Sequence, residues 1–135
     1  MQLTEFTSQL AKLNLPIGQY VIVASGPLAA HGIRESNDLD ILVTPELFNQ
    51  LKKTYQVQID KGFERLAIDN LEIVGTGSTY LEHPEIATIE EQIQTADIID
   101  GIPYLNLELT KKFKQLMGRE KDFKDIELIN NYLKL

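Results

Sequence analysis

The chain has 135 residues, 43% hydrophobic and 24% charged, which is enough apolar material to bury the core of one globular domain spanning 1–135. A formal net charge of −7 argues against an extended surface for phosphate backbones, and the lack of cysteine removes disulfides, thiolate metal sites and cysteine nucleophiles. His31 and His83 are too few for a His-rich zinc site, and no apolar run approaches the length of a membrane span.

The N-terminus, Met1-Gln2-Leu3-Thr4-Glu5, has no basic stretch followed by an apolar one, so the expectation is a cytoplasmic protein. Thr4 to Leu13 carries Phe6, Leu10 and Leu13 at helical spacing, and Pro16-Ile17-Gly18 ends that helix. Tyr20 to Ala24 is an unbroken apolar run that reads as a buried strand. Pro27 suits the first turn of a short helix, where its missing N–H would be unpaired anyway, and Gly32 closes the helix. A loop from Arg34 to Asn37 leads into a second strand, Asp38 to Val43. Thr44-Pro45-Glu46 combines a cap, a first-turn proline and a first-turn acid, predicting a helix to about Tyr55 with Leu47, Phe48 and Leu51 inward.

Gln56 to Ile59 reads as a short edge strand, and Gly62 to Ile68 with Leu71 to Gly75 as a hairpin turning at Asp69-Asn70. Thr88-Ile89-Glu90-Glu91 is a capping box that opens a helix toward Ala96. Ile98-Ile99 and Ile102 to Leu105 are short strands around Gly101. Asn106 caps a helix from Leu107 to Met117, ended by Gly118. A last helix, Lys121 to Leu133, places Phe123, Ile126, Ile129 and Leu133 on its buried stripe. Helices, strands and a hairpin mix without repeats or linkers, so the class is α/β (α+β), a small mixed sheet flanked by helices.

The chemistry concentrates at Asp38-Leu39-Asp40. Residues i and i+2 of a strand share a face at roughly 6–7 Å. Two carboxylates that close raise each other's pKa unless a cation separates them, and hard divalent cations take oxygen ligands. The bland alternative is a solvated strand end or a capping pair, but acids embedded in Leu-Asp-Ile-Leu-Val are costly without a cation. Gly26 allows close backbone approach to a phosphate beside the start of the following helix. Six of the thirteen basic residues, Lys111, Lys112, Lys114, Arg119, Lys121 and Lys124, fall within fourteen positions. They form either a solvated helix face or a patch facing an anion.

Gly26-Pro27, His31-Gly32, Arg34 and Asp38-Leu39-Asp40, in this order, resemble the nucleotidyltransferase superfamily related to DNA polymerase beta, and especially its small bacterial members. Arg119-Glu120-Lys121-Asp122-Phe123-Lys124-Asp125-Ile126 resembles the Arg-x-Lys-Asp-x-x-Asp-Ile helix of the same group, so the likeness covers most of the chain. The resemblance implies a third metal-ligating carboxylate on a neighbouring strand. Glu72 matches that place, where relatives carry Asp; Asp69, in a turn context, is its competitor. It further implies Mg²⁺ (or Mn²⁺) held by Asp38, Asp40 and Glu72, with nucleotidyl transfer from an NTP to an acceptor that is a small molecule, a tRNA end or a protein.

Toxin–antitoxin pairing is known among such small proteins, and a homo-oligomer is the other expected assembly. Ser25, Gly26, Arg34 and Lys121 are the candidate nucleotide-binding residues. Pro27 departs from the family pattern, which often has a phosphate-contacting Ser; Ser25 is the available substitute. Arg34 pairs either with Asp38 or with a phosphate. Lys121 either reaches phosphates or forms an i,i+4 ion pair with Asp125. His31 reads as a packing or hydrogen-bonding residue. A fold without turnover, binding a nucleotide or a protein partner, is the competing function.

Overall fold

A computed structural model describes residues 3–134, Asp60 through its backbone alone. Residues 1, 2 and 135 of the expected domain lie outside the described residues. Helix α1 (Leu3–Leu13) precedes β1 (Tyr20–Val23), α2 (Gly26–Ala30), β2 (Leu39–Val43) and α3 (Pro45–Leu51). A three-strand meander follows, β3 (Val57–Asp60), β4 (Phe63–Ile68) and β5 (Leu71–Val74). Next come α4 (Thr79–Glu82), α5 (Ile89–Gln94) and the hairpin β6 (Asp97–Ile99) and β7 (Ile102–Tyr104). Helices α6 (Leu107–Met117) and α7 (Glu120–Leu133) complete the described chain. The strands form one mixed sheet in the order β3-β4-β5-β2-β1-β7-β6, with β2·β5 and β1·β7 parallel and the other pairs antiparallel. The expected mixed α/β architecture is what forms.

Strand alternation divides the core between the two faces of the sheet. Tyr20, Ile22, Leu39, Ile41, Val43, Leu71 and Ile73 face α1 and α3, packing on Phe6, Leu10, Leu47 and Phe48. Val21, Val23, Leu42 and Val74 face the other way, onto Tyr80 of α4, Ile89 and Ile93 of α5 and Phe113 of α6. All four residues of β1 are therefore buried, as its apolar run requires. Asp40 and Glu72 interrupt the second apolar face at one end of their strands.

Local signals fix most helix ends. Thr44 Oγ1 accepts from Leu47 N–H, the Thr88/Glu91 capping box is complete, and Asn106 Oδ1 accepts from Leu109 N–H at 2.8 Å. Gly118 ends α6 in the left-handed conformation (φ +62). Gly26 has a packing role that its sequence context does not reveal. It is buried, and a Cβ there would stand 2.4 Å from Ile22 Cγ2, so its missing side chain lets α2 lie against β1. Gly26→Ala is expected to cost about 2 kcal/mol by overpacking, lowering Tm by about 7 °C in a thermal melt.

Several expectations are corrected. Strand β1 ends one residue early because Ala24 turns at φ +63. Helix α3 stops at Leu51 rather than near Tyr55. The next turn tightens to bonds from Lys53 N to Gln50 O and Thr54 N to Leu51 O, and Tyr55 folds onto the core under α3. Helix α4, capped by Ser78, was not expected from the sequence. On α7 the inward positions belong to Asp122, Asp125, Ile126 and Ile129, whereas Phe123 is 55% exposed and Leu133 46%. Buried Lys114 of α6 faces α7, and its need for carboxylates outweighs burial of Phe123.

Candidate active site

Parallel pairing of β2 with β5 sets Asp40 directly beside Glu72. Neighbouring strands lie roughly 4.8 Å apart, so two acids in register on one face place their carboxylates within ligating distance. Asp38, two residues before Asp40, projects to the same side. One carboxylate oxygen from each of Asp38, Asp40 and Glu72 lies within 4.8 Å of the others. The three acids singled out from the sequence are thus brought together, while Asp69 sits exposed in the β4–β5 turn at φ +53.

Burial pushes Asp40 up to about 7, helped by the charges of Asp38 and Glu72, with Lys114 and Lys121 pulling the other way. Desolvation and crowding thus both act against a charge on Asp40. Arg65 Nη1 donates to Glu72 Oε1 at 2.9 Å, which fixes the carboxylate and leaves Oε2. Three hard oxygen donors, crowded and partly desolvated, fit a hard divalent cation.

Two cavities meet at Asp40. One, of about 360 Å³, is polar, lined by Ser25, Asp38, Arg34, Lys114, Arg119 and Lys121. The other, of about 420 Å³, opens on the Glu72 side between Val23, Phe63, Val74, Tyr80 and Met117. Its rim depends on Gly77 (φ +90), where a Cβ would meet the Gly62 carbonyl oxygen at 2.6 Å; the 75–78 loop thereby seats on the β3–β4 turn.

The remaining sequence candidates separate. Ser25 Oγ hydrogen-bonds Ser36 Oγ, which in turn donates to the Asp38 carbonyl, tying the β1–α2 turn to the approach of β2. Arg34 pairs neither with Asp38 nor with solvent alone: Nε and Nη2 donate to both oxygens of Asp125 at 2.7 and 2.8 Å. Lys121 does not form the i,i+4 pair with Asp125 and stands exposed at the polar cavity. Asp125 is instead shared by Arg34 and by Lys114 Nζ at 2.9 Å, and Asp122 takes Arg119 through both oxygens. His31 has the expected hydrogen-bonding role through Nδ1, 3.4 Å from Tyr132 Oη, while its Nε2 lies 3.3 Å from Asp97 Oδ2 without forming a hydrogen bond.

The basic cluster splits between its two readings. Lys114, Arg119 and Lys121 face the cavities, while Lys111 and Lys124 reach Glu108 and Glu120 on the helix surface. Sequence reasoning missed Arg65 and Tyr80. The alternation of β4 against Glu72 was available for the first; nothing local pointed to the second.

No protein-family model matches the sequence, and no curated protein does. Among solved structures, a presumed nucleotidyltransferase from Thermotoga maritima superposes over 99% of this chain and 96% of its own, with a TM-score of 0.58 at 20% identity. The fold is nucleotidyltransferase-like. At that identity the likeness speaks to the scaffold alone, and the clustered acids are an observation of this chain's own side chains. No helix among the described residues is long and apolar enough to cross a membrane.

Proposed function

We propose that the chain is a single nucleotidyltransferase domain that moves NMP from an NTP to a hydroxyl-bearing acceptor. The observation that carries this is the meeting of Asp38, Asp40 and Glu72 within 4.8 Å between a polar cavity and a more apolar one. These three side chains would hold Mg²⁺ or Mn²⁺, which when bound neutralises triphosphate charge and lowers the pKa of an attacking hydroxyl. Lys121 and Arg119 face the triphosphate from the polar cavity. Ser25 and Arg34 shape its floor, Arg34 chiefly by holding Asp125. Arg65 keeps the Glu72 carboxylate oriented, so that its second oxygen can take the acceptor proton. The acceptor oxygen bonds to the α-phosphorus as the bond to the β-bridging oxygen breaks, and pyrophosphate leaves with that electron pair.

Calorimetry with ATP, CTP, GTP and UTP tests the reading, with and without Mg²⁺. Wild type is expected to bind at least one NTP in a metal-dependent manner, and Asp38→Ala/Asp40→Ala to lose it by at least tenfold. Absence of binding to all four would leave the second reading, a nucleotidyltransferase fold without turnover that docks a protein partner. Pro27 favours that second reading, since it supplies neither hydroxyl nor N–H at the turn before the acids.

A further inference from the structure

We propose, building on the transferase reading, that the cleft on the Glu72 side is the acceptor site and takes a small molecule with an apolar body and one anionic group. The two cavities at Asp40 differ in chemistry. The polar one is walled by hydroxyls, carboxylates and cations and suits phosphates. The other sets Val23, Phe63, Val74, Tyr80 and Met117 beside Asp40 and Glu72, and those five side chains offer hydrocarbon and ring faces that gain nothing from a triphosphate. Its volume, about 420 Å³, is in the range of small-ligand clefts. A nucleic-acid acceptor would bring a row of phosphates to a chain of net charge −7.

Two groups set the polar requirements. Lys114 and Arg119 reach the cleft but are held by Asp125 and Asp122. Lys61, at the rim on the β3–β4 turn (φ +53), is exposed and has no ion-pair partner among the described residues. That lysine is placed to meet an anion at the rim; the carboxylates of Asp40 and Glu72, which line the same cleft, would be neutralised by the divalent cation proposed above. Tyr80 is 7% exposed, and its buried Oη has no hydrogen-bond partner of normal geometry among the described residues, the Ala24 backbone lying nearby. An unsatisfied hydroxyl beside the cleft is a donor for an acceptor oxygen that enters it.

Three probes of one shape and different charge test this: 4-hydroxyphenylacetate, its neutral amide, and tyramine, titrated into ¹⁵N-labelled protein with Mg²⁺. The amide signals of Phe63, Ser78 and Tyr80 are expected to move saturably, with the anion binding about threefold to tenfold more tightly than the amide and tyramine most weakly. Lys61→Glu is expected to reverse that order, and Tyr80→Phe to weaken all three while leaving the spectrum folded. A non-hydrolysable NTP present together with Mg²⁺ is expected to leave anion binding in place. Equal affinity for the three probes, no binding, or displacement of the anion by the nucleotide overturns the proposal, the last assigning the cleft to the base. Failure of the nucleotide itself to bind would instead undo the transferase reading, and the charge order of the probes would still decide the chemistry of the cleft.

Discussion

Metal-free protein carrying Asp40→Asn is expected to be more stable than wild type at pH 8, by roughly 2–4 kcal/mol in urea unfolding with EDTA, and indistinguishable from it near pH 4. The reasoning starts from a carboxyl whose ordinary value near 3.8 is pushed to about 7 by burial and by Asp38 and Glu72. Below the unfolded value both states carry the proton and nothing is lost. Between about 4 and about 7 the folded state retains a proton that the unfolded chain gives up, so stability falls as pH rises through that window. Above it, the folded protein bears a desolvated charge beside two like charges, and the penalty is complete. Asparagine removes the charge and keeps the shape.

Divalent metal reverses the sign. Occupancy needs the deprotonated acid, so Mg²⁺ should stabilise wild type more at pH 8 than at pH 5.5 and release a proton on binding. It should do little for Asp40→Asn. A wild-type stability that stays level between pH 5 and pH 8 without metal would contradict the crowding of the three acids.

What could be read from the chain, and what could not, follows the range of each interaction. The capping signals of Thr44, Thr88 and Asn106 act within three or four residues, and each helix starts where its cap stands. The spacing of Asp38 and Asp40 is equally local, although β2 begins at Leu39 and Asp38 lies in the bend just before it. That Glu72 would meet them depends on β2 and β5 pairing in parallel and in register, across a helix and two strands that no short window contains; the resemblance to a known family, not the periodicity, supplied it.

The failures are long-range too. Arg34 was free to choose between Asp38 and a phosphate on local grounds, but its carboxylate partner lies ninety-one residues further along. Phe123 looked like a core residue by spacing, yet α7 turns its acids inward because α6 delivers an ammonium there. Gly26 stood where a phosphate loop has glycine, and its immediate reason is Ile22.

Asp125→Ala should be the most destabilising single substitution in the chain outside the apolar core, costing about 3–5 kcal/mol in a denaturant melt. Asp125 is 5% exposed and accepts two hydrogen bonds from Arg34 and one from Lys114. Removing it leaves Lys114, itself 4% exposed, with Asp122 at 3.8 Å as its one ion-pair partner among the described residues. An ammonium buried without a close partner is the expensive outcome; the pair as a whole need not be stabilising. Replacing both ends with apolar groups, Lys114→Met with Asp125→Leu, should therefore recover most of the loss, and a double variant no better than Asp125→Ala would refute that account.

The same residues set the acid limit of the fold. Burial alone would raise Asp125, but Arg34 and Lys114 outweigh it and hold the carboxyl below its ordinary range, as Arg119 does for Asp122. A lowered folded value means stability that is present above about pH 4 and lost as pH falls through the depressed values. Wild type should thus lose stability on acidification below pH 4, and Asp125→Ala should show a shallower loss. Because Lys114 and Arg34 also line the polar cavity beside Asp40, the lock that holds α7 to α6 and to the α2–β2 loop is what sets the cations around the acids. Loosening it should weaken NTP binding in step with stability, even though Asp125 need touch no ligand.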